Sequence, residues 1–337
     1  MQSIRSSAVL AMICAAALLT TATHAGSASA DGASVVAPLA KRSLLLDVAR
    51  AGERLVAVGE RGHILLSDDQ GRTWTQSDAV PSRTTLTAVT FANSDEGWAV
   101  GHDEIILRTE DGGKNWLAAN FRPESQQPLL DVWFENASHG LAVGAYGSVY
   151  ETRDGGRAWQ ARKFSYQALP AAKKSKDDEQ DVPPDYHLNK IIAAGTRLFI
   201  AAEAGQMFRS DDGGKNWQQL PSPYNGSFFG LLALDVDNLF AFGLRGNTFR
   251  SADGGLSWRQ VASGATAMLT DGFARADGSL VLVGLSGTVL SSADQGSSWT
   301  LHQQADRKGI SAALPLADGE LIVVSESGVR RIAITGR

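Results

Sequence analysis

The chain reads as an all-β protein, a seven-bladed β-propeller whose last blade is closed by the N-terminal strand at about residues 33–40. Three observations predict this. An octet of the form [ST]-x-D-x-G-x-x-W occurs six times, at residues 67–74, 109–116, 152–159, 210–217, 251–258 and 292–299. Successive octet tryptophans lie 42, 43, 58, 41 and 41 residues apart, a period close to that of a four-stranded propeller blade. Between octets the chain alternates short apolar runs with Gly, Asn and Asp, and no helical period appears after residue 30; its 35 glycines fit many turns.

Residues 1–30 read as a secretory signal peptide, leaving 31–337 as a single propeller. The start MQSIRSS carries Arg5, residues 8–20 form a short apolar run, and Ala28-Ser29-Ala30 supplies a small-residue cleavage site, with Thr23-His24-Ala25 as a second choice. That run is short for a membrane span, and no second one follows. Processing removes one arginine and takes the net charge from −5 to −6, a balance that does not favour nucleic acid. The single cysteine, Cys14, lies inside the apolar run. A lipid anchor there is disfavoured by the bulky Ile13 before it. A chain lacking thiols excludes disulfides, cysteine nucleophiles and thiolate metal sites. Export to a periplasm, or secretion, is the expected location.

The repeating units follow in order. In the second, LTAVTF (86–91), GWAVG (97–101) and EIILRT (104–109) precede the octet; in the fifth, FGLLAL (229–234), NLFAFG (238–243) and NTFRS (247–251) do. Each is strand–turn–strand–turn–strand, with a fourth strand after the tryptophan. Six such units run from about residue 43 to 304. A seventh, GISAALPL (309–316), GELIVVSES (319–327) and GVRRIAIT (328–335), has three strands and no octet. The orphan segment ASVVAPLA (33–40) is the expected fourth strand, since closure leaves no free sheet edge. Six blades with a stray tail is the alternative.

The octet has the chemistry of a turn. Asp69, Asp111, Asp154, Asp212, Asp253 and Asp294 are placed to accept backbone N–H groups. The glycine two residues on supplies a left-handed conformation. Trp74, Trp116, Trp159, Trp217, Trp258 and Trp299 start the fourth strand and carry large apolar surfaces. A lone carboxylate makes a poor site for a hard cation, so the octets read as structural, with no metal and no cofactor expected. The pattern resembles the Asp-box, or BNR repeat, in which the box closes the hairpin between the third and fourth strands.

In an antiparallel blade the turns alternate between two faces. The octets occupy one face. The turns between second and third strands and the blade-to-blade crossings occupy the other, where partner binding is expected. Register places Glu60-Arg61, His102-Asp103, Ala145-Tyr146, Glu203-Ala204, Leu244-Arg245, Leu285-Ser286 and Glu326-Ser327 there. The long spacing of 58 marks an insertion at about 164–190, between blades 3 and 4. Its centre is charged and proline-bearing, a disorder-prone composition. Its end, Tyr186-His187, is expected to return toward the channel mouth.

The boxes, the signal peptide, GWAVG (97–101) and LAVGAYGSVYET (141–152) together resemble the photosystem II stability/assembly factor family. That resemblance implies a non-catalytic propeller of the periplasm, or of the thylakoid lumen in a photosynthetic host. It implies binding of membrane-protein or envelope-complex intermediates, with peripheral membrane association through the client, and a monomer. The family's arginine patch carries over to Arg61, Arg245 and Arg83. With His102, Asp103, Tyr146, Tyr186 and Glu203 they make up the expected partner face. The alternative is a glycoside hydrolase of the sialidase type, since such enzymes share the boxes. It needs an arginine trio for a substrate carboxylate, and no early arginine strand occurs in residues 33–60. An inverting pair would be Asp103 with Glu203, and a nucleophile Tyr146. The histidines show no metal-site spacing, and His63 and His139 read as surface residues of turns or strands.

Overall fold

In a computed structural model, residues 32–77, 79–170, 186–275 and 277–334 are described. The expected signal peptide and the centre of the insertion lie outside them. Seven sheets form the seven blades, with antiparallel strands at residues 45–76, 86–120, 129–163, 188–219, 228–261, 269–303 and 310–332, and the fourth adds a parallel edge strand, Tyr166–Gln167. Apart from single 3-10 turns, the regular structure among the described residues is all strand.

Each second strand is buried along almost its whole length, for example Gly97–Gly101, Leu239–Gly243 and Leu321–Ser325. A blade is covered on both faces by its neighbours, so this strand reads as an uninterrupted apolar run. Seven apolar clusters fill the seven junctions between blades. The fourth strands are short and exposed, as in Gln160–Lys163. They begin one residue after the tryptophan, except at Trp217–Gln219.

The boxes act as expected. Ser67 Oγ accepts the Gly71 N–H at 2.8 Å and donates to Asp69 Oδ1, which also accepts the Thr73 N–H at 2.9 Å. These bonds, led by the Thr73 hydroxyl, hold the Asp69 carboxyl at about 2; the Ser298 hydroxyl and N–H do the same for Asp294. Trp74, Trp116, Trp217 and Trp258 donate their indole N–H to the box glycine carbonyl. The box glycines also set the spacing between blades. All are left-handed, and a Cβ would strike the preceding blade: at Gly156 it would lie 2.2 Å from Trp98 Nε1 of blade 2.

The seventh sheet has three strands, and residues 33–39 form no strand. The expected closure by strand pairing is therefore corrected. Pro38 removes a ladder donor from the segment, and Val35, Val36 and Leu39 stand exposed. Only Ala37 and Ala40 enter the cluster between blades 7 and 1. The segment instead takes the place of a blade-to-blade crossing. A Cβ on Gly328 would meet Lys41 O at 2.0 Å, just as one on Gly62 would meet Ser82 O of the crossing into blade 2. The ring closes by side-chain packing, Ile322 and Val324 against Leu55, Ala57 and Leu65. Arg50 reaches Pro315 O at 2.6 Å, and Arg331 reaches Gln70 O at 3.2 Å.

Candidate partner-binding face

The turns between second and third strands are single 3-10 turns at six blades. Their central residues, Arg61, Asp103, Tyr146, Ala204, Arg245 and Ser286, all have φ between 52° and 58°. A glycine follows at five of them, so the tip residue is thrust outward at the same place in each blade. The crossings lie against these turns: Arg122 N donates to Asp103 O, and Gly147 N to Tyr186 O. One face thus carries every residue of the expected partner face, but the ring distributes them.

Two groupings result. In the first, Arg61 from the turn of blade 1 and Arg83 from the crossing into blade 2 border a 290 Å³ cavity with Val35, Ala37 and His63. Arg83 Nε donates to Ala33 O at 2.9 Å, so the leading segment forms one wall. His63 is 4% exposed, not a surface residue, and among the described residues its Nδ1 has no hydrogen-bond partner. Burial lowers its pKa, with Glu60 opposing and Arg61 assisting. In the second, Tyr146 meets His187 edge-on at 4.7 Å, and His187 approaches Glu203. The far end of the insertion therefore packs onto the turn of blade 3.

The remaining expected residues stand apart. Arg245 is exposed on blade 5, three blades round the ring from Arg61. His102 is exposed and Asp103 half-buried, on blade 2. Glu203 serves its own turn. Its Oε1 accepts His187 N at 2.9 Å, as Glu60 accepts Leu44 N and Glu326 accepts Gly309 N. It caps a crossing, with blade 3 between it and Asp103.

The channel lining adds residues beyond those expected. Each first strand bulges at its second residue, at Leu46, Thr87, Leu130, Asn189, Phe229, Thr270 and Ser311. These seven ring a mouth of about 450 Å³, widened by Met268 and Leu285. A bulge re-aims the side chains that follow it, and the next residue round the ring is Asp47, Ala88, Asp131, Lys190, Gly230, Asp271 or Ala312. Each aspartate accepts the N–H of the following blade: Val89 for Asp47, Ile191 for Asp131, Ala313 for Asp271. Lys190 Nζ reaches Asp131 Oδ1 at 3.2 Å. Burial, only partly offset by Lys190, raises Asp47 to about 7 and raises Asp271 as well. The signal was present in the aligned units, where Leu-Leu-Asp-Val recurs at 45–48 and 129–132. Among the described residues no group of three His, Cys, Asp or Glu is placed to hold a metal.

The model of the photosynthesis system II assembly factor YCF48 family matches residues 34–124 and 120–328. No curated protein matches the chain. Among solved structures, YCF48 bound to D1 peptide is similar at 18% identity and TM-score 0.67, over 90% of this chain and 96% of that one. YCF48 from Cyanidioschyzon merolae gives 17% and 0.66, over 89% and 98%. An ancestral GH74 enzyme gives 12% and 0.67, over 91% of this chain and 46% of its own. At these identities the structural likenesses carry the fold, whereas the family match spans nearly all of the propeller: the chain belongs to the photosynthesis system II assembly factor YCF48 family.

Proposed function

We propose that this protein is a non-catalytic, exported propeller that binds membrane-protein or envelope-complex intermediates as an assembly or stability factor. It works in a periplasm, or in the thylakoid lumen of a photosynthetic host. Family membership is the observation that carries the reading. YCF48 has been solved bound to D1 peptide, which supports a polypeptide client. The cavity beside Arg61, Arg83 and His63 is the first place such a client engages: two guanidinium groups suit carboxylates.

The glycosidase alternative draws on the GH74 likeness. It finds little support in Asp103 and Glu203, since the latter is a backbone cap. Two measurements separate the readings. Pull-down from envelope membranes should recover a defined client with wild type and several-fold less with Arg61→Glu/Arg83→Glu; equal recovery removes the cavity from the binding surface. Turnover of a fluorogenic glycoside panel, abolished by Glu203→Gln, would overturn the non-catalytic reading.

A further inference from the structure

At three junctions the box of one blade is held by an arginine of the blade before it, from the same register. Arg108, Arg209 and Arg331 lie opposite Trp98, Phe199 and Ile322 of the buried second strands. Each reaches the carbonyl of the fourth box residue in the next blade: Gly155, Gly254 and Gln70, at 2.6, 3.5 and 3.2 Å. Between blades 1 and 2 the bond to Gly112 comes from another position, Arg54 at the start of the second strand, at 3.1 Å.

Blade 5 keeps the arginine but sends Arg250 to Ser297 Oγ at 3.4 Å, and blade 3 has no arginine there. The residue opposite Leu141 is Glu151. It turns back into its own blade, accepting Arg162 at 2.8 and 2.5 Å, pairing with Arg153 and meeting His139 at 3.2 Å. His139 also holds Glu135. Among the described residues no side chain reaches the Gly213 carbonyl, and a Cβ there would touch nothing within 4 Å. A groove of 280 Å³ lies beside Glu151, between blades 3 and 4.

Its composition is specific. The floor is apolar, with Leu141, Val149 and Trp217. The rim carries four cations, Arg153, Arg162, Lys163 and Lys215, around the single Glu151 carboxylate. That excess stands out on a chain of net charge −5. One wall is the outer strand Gln160–Lys163, whose four residues are all exposed. The neighbouring outer edge already shows what such an edge accepts: Tyr166–Gln167 adds to it as a short parallel strand on Trp217 and Gln218.

We propose that this groove is a second docking site, for an extended acidic peptide segment of a protein partner. Its backbone pairs with the Gln160–Lys163 edge, alternate apolar side chains enter the floor, and its carboxylates meet Lys163, Lys215 and the two arginines. A free inorganic anion has no use for the apolar floor, and a lipid surface would not fit between two blades. The site is separate from the Arg61 cavity and does not depend on it.

The test uses fluorescence anisotropy with a fluorescein-labelled decapeptide of alternating Glu and Leu, and its Lys–Leu counterpart. Wild type binds the acidic peptide, and binding weakens with salt. Lys163→Glu/Lys215→Glu, which leaves the Glu151 network untouched, weakens it at least ten-fold, while Arg61→Glu/Arg83→Glu leaves it unchanged. Glu151→Arg rebuilds the missing bridge to Gly213 and weakens binding although it adds positive charge; mere electrostatic attraction predicts tighter binding. The proposal is overturned by absent wild-type binding, by equal binding of the Lys163→Glu/Lys215→Glu protein, by equal affinity for the Lys–Leu peptide, or by displacement with millimolar inorganic phosphate. Sedimentation with phosphatidylglycerol vesicles that the acidic peptide does not compete away would assign the groove to lipid instead.

Discussion

Asp47→Asn should change the pH dependence of stability more than stability itself. In the folded protein the Asp47 carboxyl is raised from 3.8 to about 7, chiefly by burial, with Lys190 opposing and Asp271 and Asp131 adding to the rise. Between about pH 4 and 7 the native state holds a proton that the unfolded chain has released, so stability falls as pH rises through this window. At roughly 1.4 kcal/mol per pH unit the ceiling is about 4 kcal/mol. Asp47 is only half-buried, so the ceiling is discounted for solvent screening and roughly 2 kcal/mol is the working figure. The amide cannot ionise and escapes this loss. It still accepts Val48 N, but it loses the acceptor that meets Val89 N, at a cost of about 1 kcal/mol. Urea denaturation should therefore find Asp47→Asn less stable than wild type by about 1 kcal/mol near pH 3, about equal near pH 5, and more stable by about 1 kcal/mol at pH 8. Parallel profiles from pH 3 to 8 would show that the Asp47 carboxyl is not raised by folding and that the channel does not desolvate it.

Gly156→Ala should destabilise by roughly 2–5 kcal/mol, combining a left-handed alanine with a clash on the sealed Trp98 indole. Gly213→Ala, also left-handed but facing open space, should cost only about 1 kcal/mol; equal effects in urea melts would refute the interblade role of the box glycine. Asp294→Asn should flatten part of the acid limb, because a carboxyl held at about 2 lends stability above pH 4 that is lost as pH falls toward 2; tryptophan fluorescence from pH 5 to 2 reads it. Pro38→Ala should leave the thermal midpoint within a few degrees of wild type, since the ring closes through Ile322, Val324 and Leu55, whereas Ile322→Ala should lower it by about 2–5 kcal/mol equivalent.

The blades were legible because the octet advertises them. A turn that needs Asp, Gly and Trp at fixed offsets leaves the same trace each time. The turn tips were legible for a similar reason: Arg61, Tyr146 and Arg245 each precede a glycine that closes the same 3-10 turn. The N-terminal segment misleads because an apolar run with proline looks like an edge strand until its neighbours are known, and Val35 and Val36 turn out to face solvent. His63 and Glu203 are illegible for another reason. Whether a polar side chain in a turn is sealed, or caps a backbone N–H, depends on the crossing that folds over it.

Seven nearly equal blades provide no intrinsic reason for one place on the ring to differ from another, so specificity must come from departures from the repeat. They concentrate on one arc. Blade 2 replaces the turn glycine by Glu104, left-handed and buried, which accepts the Tyr150 hydroxyl of blade 3 at 2.7 Å. Blade 3 replaces the bridging arginine by Glu151, beside the groove. Blade 4 places Lys190 in a ring position that three other blades fill with aspartate, and the insertion enters between the two. A non-glycine residue in a left-handed turn and a forfeited interblade bond each lower stability. Maintaining both beside the long crossing is hard to explain as scaffold maintenance, since the junction of blades 5 and 6 closes with no counterpart of Glu104 or Glu151. The arc of blades 2 to 4 is therefore where a client should leave its strongest footprint in hydrogen exchange.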